Sequence, residues 1–375
     1  MKSKIAIVRG KFLNRYEMQF FEPLIDKYDI TAFGSLTSFH DTFAFPIRKL
    51  ASPMDLPEFP GKMPLLNRIF TDAHVLFGLE SQLQGFDLVH SAETYYYYTK
   101  QCLEAKKQGR VKKVIATVLE NIPFNNEGIH GRKALKKYAR EELDHIIALT
   151  ERTKVALLLE GADEKKITVI SHFIDTERFT PKKDIQPDRM SLCILFCGRL
   201  ERYKGVYEIL YAAKLLLQDA DLAGYHLEFH FVGDGTEKER MLSLEKTLGI
   251  DLQVFHTTVS YDAMPAMYQN ADIYVAPSKS TGRWQEQYNT TLLEAQASGL
   301  PIVTTYSGGI PENVGEAAVL IQPDDILSLY KALKLFIQSP SQRKEYGKKA
   351  RERAETVHNK KIGAKKISQI YEIVL

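Results

Sequence analysis

Short apolar runs alternate with stretches in which apolar residues recur every three or four positions, and the alternation continues along nearly the whole chain. The runs fit strands buried on both faces, and the stretches between them fit amphipathic helices. Such a succession predicts strand–helix units and parallel sheets. In the first half the predicted strands are Ile5–Val8, Ile30–Phe33, Leu88–His90, Val114–Val118, His145–Leu149 and Ile167–Ile170. The stretch Ala51–Leu66 carries Pro53, Pro57, Pro60 and Pro64 and predicts an irregular surface loop. From Phe173 to Arg189 the periodicity dissolves into Asp, Thr, Pro, Lys and Gln, as expected of a linker. It restarts with strands Leu192–Cys197, Leu227–Val232, Leu252–Phe255, Ile273–Ala276, Ile302–Thr305 and Ala318–Ile321. The helices predicted among them are Val206–Gln218, Thr236–Leu248, Ala263–Gln269, Thr290–Ser298 and Ile326–Ile337.

The expected fold is α/β: two Rossmann-like domains facing across a cleft, over residues 1–180 and 190–357. Residues 358–375, a Lys-rich tail, read as a closing helix that packs back on the first domain.

Composition changes this picture little. With 44% apolar and 26% charged residues the chain is an ordinary soluble one, and a net charge of +3 gives no argument for nucleic acid. The basic residues do cluster, at Lys106, Lys107, Arg110, Lys112 and Lys113 and again at Arg132, Lys133, Lys136, Lys137 and Arg140. Solvated helix faces account for such clusters, and so does contact with an anionic membrane or acceptor. Cys193 and Cys197 lie an even number of positions apart on one strand, so they share a face and read as small core residues. With Cys102 they make no disulfide framework and no zinc spacing. Arg9 interrupts the first apolar run too early for a signal peptide, and no run is long enough to span a membrane. The expected location is cytoplasmic, with the cytosolic face of a membrane as the variant.

Four constellations carry candidate chemistry. Gly198-Arg199-Leu200 followed by Lys204-Gly205 sits directly after a predicted strand and before a helix. Ligands of open α/β sheets bind off the carboxyl ends of strands, and helix N-termini attract anions, so Arg199 and Lys204 can grip a diphosphate. Solvated surface cations are the plainer reading. Glu286-Gln287-Tyr288-Asn289-Thr290-Thr291 then leads into a helix carrying Glu294. Asn289 is expected to cap that helix, leaving the amides of Thr290 and Thr291 for a phosphate and Glu294 for a ribose diol. A surface or capping role is the alternative for Glu294. Gly233-Asp234-Gly235 and Ser307-Gly308-Gly309-Ile310-Pro311-Glu312 are tight turns at the same sheet edge. The chain shows no Asp-x-Asp at a strand end, no G-x-G-x-x-G after the first strand, no P-loop and no serine nucleophile elbow.

These residues resemble family-four glycosyltransferases. The likeness rests on Gly198–Gly205, Gly233–Gly235, the Glu286…Glu294 pair with Ala295–Pro301, and Ser307–Glu312, and it is close over residues 145–325. It implies the B-type two-domain fold, an acceptor-side first domain and a donor-side second domain. It further implies a nucleotide-diphosphate sugar donor, retention of anomeric configuration, and no metal or other cofactor. By position, Arg199 and Lys204 would hold the diphosphate, Glu286 the donor sugar and Glu294 the ribose. Amides at Tyr288–Thr291, with Gly233 and Gly10, would complete the site. The implied acceptor is a glycolipid, a lipid-linked saccharide or a surface polysaccharide.

The chain departs from the family pattern in three places. Asn289 stands where the family usually has Gly, Gly10 is all that remains of a Gly-Gly loop, and Leu119-Glu120-Asn121 replaces a run that commonly holds a histidine. Glu120 is therefore expected to do that histidine's polar work, or else to pair with a neighbouring cation. His90 reads as structural. A nucleotide-sugar epimerase of similar fold, and a non-catalytic nucleotide-binding protein, remain as alternatives.

Overall fold

Strand–helix alternation closes into two separate parallel sheets in the computed structural model, which describes residues 2–182 and 190–375. One unit takes in the chain up to Phe173 together with Lys360–Leu375; the other is Ile174–Asn359. The expected linker spans this first crossing, and its residues 183–189 lie outside the described residues.

The first unit holds β1 (Lys4–Gly10), β2 (Asp29–Ser35), β3 (Ile47–Leu50), β4 (Phe86–Ala92), β5 (Val111–Val118), β6 (His145–Ala148) and β7 (Ile167–Val169). They lie in the order β3-β2-β1-β4-β5-β6-β7, and every pairing is parallel. The order reverses between β1 and β4. Because strand side chains alternate, β1 feeds two cores. Ala6 and Val8 pack with Val89, Val114 and Ala116 on one face. Ile5 and Ile7 pack with Leu88, Ile115 and Ile147 on the other, beneath Ile367, Ile370 and Tyr371 of the helix Lys360–Val374. Each such large side chain contributes roughly 1.5–3 kcal/mol by leaving water.

Two features of this unit differ from expectation. β3 was not foreseen: it is a short edge strand whose Arg48 and Lys49 are exposed, so no apolar run marks it. The Pro-rich stretch is partly helical, with a 3-10 turn Pro53–Asp55 and a helix Lys62–Ile69. Pro53 opens the turn and Pro64 falls in the first turn of the helix, where a missing N–H costs nothing.

The second unit holds β8 (Ser191–Cys197), β9 (His226–Val232), β10 (Val254–Thr257), β11 (Ile273–Ala276), β12 (Ile302–Thr305) and β13 (Val319–Ile321). Their order is β10-β9-β8-β11-β12-β13, again parallel, reversing between β8 and β11. The core comprises Ile194, Phe196, Phe229, Phe231 and Val275 against Ile209, Leu210, Leu333 and Phe336. Cys193 and Cys197 lie on the opposite face of β8, as their even spacing requires. The helix Pro340–Thr356 was not expected, because it buries only Gly347, Ala350 and Ala354 and shows no bulky apolar stripe.

Candidate functional site

The second unit gathers the candidates at the carboxyl ends of β8 and β11, where chain order reverses. β8 runs into Gly198 and Arg199, and a 3-10 turn Arg202–Lys204 leads into the helix Val206–Leu217. β11 runs into the loop that carries Ser278, Trp284 and Glu286 before the helix Thr290–Ala297. Two helix N-termini, each with its partial positive charge, thus open from the switch-point strands or the loop behind them.

Lys204 Nζ lies 2.5 Å from Glu286 Oε1, and Glu286 is only 5% exposed. The same oxygen accepts from Ser278 Oγ at 2.6 Å and from Asn289 Nδ2 at 3.3 Å. Lys204 also sits 5.2 Å above the Trp284 ring, and Tyr203 packs against Trp284 with centroids 4.2 Å apart. Arg199 is exposed, its guanidinium 5.4 Å over the Tyr203 ring. One cation is thus held by a carboxylate while the other rests on an aromatic face.

Backbone approach explains two glycines. A Cβ on Gly308 would lie 1.9 Å from the Glu286 carbonyl oxygen, so only glycine lets this turn close over the Glu286 backbone. Gly309 N–H then donates to that carbonyl at 2.8 Å. A Cβ on Gly233, which adopts φ 144° at the exit of β9, would lie 2.0 Å from the Gly198 carbonyl oxygen, so glycine alone lets these two turns approach.

Asn289 does not cap its helix. It adopts φ 62°, ψ 86°, a left-handed conformation rather than the extended one that capping requires, and makes no side-chain cap bond. Its Oδ1 instead accepts from Thr291 Oγ1 at 2.7 Å, and Thr291 Oγ1 accepts from Tyr274 at 2.6 Å. The helix therefore opens at Thr290 without a side chain over its first amides. Tyr288 is buried, its hydroxyl 3.4 Å from His358 Nδ1 and its carbonyl accepting from Asn313, so its side chain is spent on packing. Glu294 is 4% exposed, which removes the surface reading. Its Oε2 accepts from Tyr268 at 2.7 Å. Burial pushes its carboxyl up to about 7, with the Tyr268 hydroxyl and the Arg178 charge pulling the other way.

Sequence reasoning missed Tyr203, Ser278 and Trp284. Tyr203 adjoins Lys204, and Trp284, the only tryptophan in the chain, stands two residues before Glu286; that proximity was the available signal. Ser278 had none.

In the first unit Gly10 ends β1 at φ 54°, with a register shift between Val8 and Gly10. Glu120 follows β5 and turns into its own loop. Oε1 accepts from the Ile122 amide at 3.0 Å and Oε2 from Asn125 Nδ2 at 2.9 Å. Burial raises its pKa. His90 is 1% exposed, with Nδ1 2.8 Å from the Tyr371 hydroxyl and Nε2 2.7 Å from Thr117 Oγ1. Burial, then the Arg9 charge, holds it well below the usual imidazole range.

Glu93 was not foreseen at all. It is 2% exposed at φ 60° just after β4, and its Oε1 accepts from the Leu119 and Glu120 amides at 2.9 and 3.1 Å. Burial, then the Glu120 charge, pushes its carboxyl up to about 8. Among the described residues no cluster of three or more His, Cys, Asp or Glu is placed to hold a metal, and no helix is long and apolar enough to cross a membrane.

Two doubly wound parallel-sheet units in one chain define the two-Rossmann-domain architecture of B-type glycosyltransferases. A sucrose-phosphate synthase from Thermosynechococcus elongatus shares it with a TM-score of 0.78 over 100% of this chain and 99% of its own, at 18% identity. Anabaena HepE, solved with UDP and glucose, shares it with a TM-score of 0.75 over 99% of both chains, at 14% identity. At such identities the likeness shows the fold alone. Within that architecture residues 177–353 match the family Glycosyl transferases group 1, over the segment that holds the motifs around Glu286.

The sulfoquinovosyl transferase of Arabidopsis thaliana is 30% identical over 195 residues, which is 48% of this chain and 35% of that protein. The chain spans less than half the length of the first curated relatives it matches: 35%, 43% and 49%.

Proposed function

We propose that this chain is a glycosyltransferase that moves a hexose-type sugar from a nucleoside-diphosphate sugar to a saccharide or glycolipid acceptor, with retention and without a metal. The observation that carries the reading is the Lys204–Glu286 pair beside Arg199 at two helix N-termini. When the bond to the leaving diphosphate breaks, negative charge grows on its oxygens. Fixed cations and helix amides stabilise that charge without reorganising. Glu286, held by Lys204, Ser278 and Asn289, is set to accept from a donor-sugar hydroxyl. Glu294, one turn further in, is set for the ribose. HepE, solved with UDP and glucose, supports a nucleotide-sugar ligand for this fold.

The basic clusters lend the acceptor little. Lys106 and Lys113 pair with Asp144, Lys112 with Asp87, Arg132 with Asp72, and Lys136 and Arg140 with Glu160. Contact with the cytosolic face of a membrane therefore rests on the acceptor's chemistry rather than on free charge.

The test is release of nucleoside diphosphate from a panel of nucleotide sugars in excess chelator, with and without saccharides or lipid extract. One donor should turn over, faster with an acceptor, and proton NMR of the product should show the donor's anomeric configuration. Release from no donor would overturn the proposal. An altered sugar nucleotide formed without any acceptor would establish the epimerase. Activity lost in chelator and restored by magnesium or manganese would overturn the metal-free part.

A further inference from the structure

The first unit places an aspartate–histidine pair on residues that no motif marks. Asp72 is fully buried, and its carboxylate lies 3.0 and 3.1 Å from His74 Nδ1. The carboxylate is fixed from three further sides, by Arg132 Nη2 at 2.9 Å and by the amides of Tyr97 and His74 at 2.9 and 3.1 Å. A carboxylate facing Nδ1 draws the ring proton to that nitrogen and leaves Nε2 as an acceptor. His74 is 7% exposed, and Nε2 has no hydrogen-bond partner among the described residues. A buried acceptor left unmet costs about 1–3 kcal/mol, so the arrangement is an expensive way to build a merely structural histidine.

The surroundings point to one ligand chemistry. The His74 ring stacks on Phe12, at 5.2 Å, and lies tilted against Tyr96, at 4.3 Å; these two half-buried rings are themselves 5.7 Å apart, so the three form one aromatic cluster. Tyr98 stands edge-on at 6.5 Å, and its buried hydroxyl also lacks a partner. A Cβ on Gly10 would lie 3.3 Å from the Tyr98 ring, which puts the pair beside the carboxyl end of β1, at the reversal of strand order. Polar atoms awaiting hydrogen bonds among aromatic faces suit a polyol, whose hydroxyls point outward and whose C–H edges are apolar.

We infer that Asp72 and His74 form a hydroxyl-binding site in the first unit, in which His74 Nε2 accepts a hydrogen bond from a hydroxyl of the sugar-accepting substrate. Naming that ligand as the acceptor rests on the proposed function; the hydroxyl chemistry does not. His74 touches the ligand, and Asp72 acts as a positioning residue through the tautomer. Nε2 is closed to solvent. Entry of the ligand therefore requires a neighbouring ring to move; Phe12, in the turn that follows β1, and Tyr96 are the two that are half-buried.

Two arms test this. In the first, nitrogen-15 NMR of the full chain, with the His74 signals assigned by their absence in His74→Gln, reads the tautomer. His74 should show a protonated Nδ1 and a bare Nε2. Millimolar myo-inositol, glycerol, methyl glucoside or methyl galactoside should move the Nε2 resonance and leave His90 unmoved. A proton on Nε2, or no movement with any of the four polyols, overturns the site. Asp72→Asn should shift the proton to Nε2, a change that loss of packing alone would not produce.

In the second arm, acceptor-stimulated release of nucleoside diphosphate should fall about tenfold in His74→Gln, the equivalent of ~1.4 kcal/mol. UDP affinity and acceptor-independent release should stay at wild-type values. Wild-type stimulation in a folded His74→Gln protein overturns the assignment. If the native chain releases nucleoside diphosphate from no donor, the proposed function fails, and the first arm alone decides the site.

Discussion

The strand-order reversals of the two units are built on opposite electrostatic plans. Between β8 and β11 the charges answer one another: Lys204 meets Glu286, and Ser278 and Asn289 donate to the same oxygen. Between β1 and β4 Asp72 is paired, with His74 and Arg132, but several of the polar atoms around it are not. Arg9 Nε and Nη2, His74 Nε2, the Tyr98 hydroxyl and Glu93 Oε2 are all buried without a partner among the described residues. At the first place an internal counter-ion keeps a cation fixed and neutralised. At the second, each unmet group costs on the order of 1–3 kcal/mol. The difference teaches where ligand binding should stabilise the fold most: in the first unit, whose polar atoms gain partners rather than exchange them.

The sharpest way to break this comparison is to remove the cations. Lys204→Ala and Arg199→Ala should each lower kcat/KM for the donor by about 10²–10³, the usual cost of one preorganised charge-stabilising group. Steady-state release of nucleoside diphosphate measures it. Near-native kinetics in both variants would mean that the paired plan serves packing rather than the diphosphate.

A smaller effect tests the unpaired plan. The Glu93 carboxyl is pushed up to about 8 by burial and then by Glu120, so the folded state keeps a proton that the unfolded chain releases near its ordinary 4.5. That contribution is fully present below 4.5 and is lost as pH rises through about 8. Urea unfolding of the native chain should therefore weaken across this window, and Glu93→Gln should flatten the slope. The loss is at most ~1.4 kcal/mol per pH unit across this window, and little of the contribution is left at pH 8. An unchanged slope would show that Glu93 ionises normally inside the fold.

The smallest effect concerns Glu120, which spends both oxygens on its own loop. Glu120→Gln should cost stability of about 0.5–1.5 kcal/mol through these bonds, while kcat changes by less than about tenfold. A larger fall in kcat with the melting temperature held would return Glu120 to the reacting sugar.

Legibility in the sequence followed the same division. Both sheets were readable because each buried strand is a continuous apolar run, and β3 escaped because its outward residues are charged. The Arg199–Lys204 and Glu286–Glu294 segments were readable because each set of partners falls within one strand-to-helix connection, at spacings that the fold itself dictates. Asp72 and His74 lie before β4 and Tyr98 in the helix after it, and the Arg132 support comes from a helix further along the chain, so no spacing announces them. Glu93 was hidden for another reason: its importance lies in a left-handed backbone and the loss of water, neither of which is a pattern of letters.

The helix Lys360–Val374 bears on how the protein is made. It supplies Tyr371 to His90 and Tyr28, and Ile367 and Ile370 to the face formed by Ile5 and Ile7. All of Ile174–Asn359 intervenes. On the ribosome, the earliest-made sheet must therefore wait for the inserted unit before one of its two faces is covered. At ~5–20 residues per second that wait is of the order of ten seconds or more. During it a patch of isoleucine and phenylalanine stands open to chaperones, and a premature stop before residue 360 would leave it open permanently.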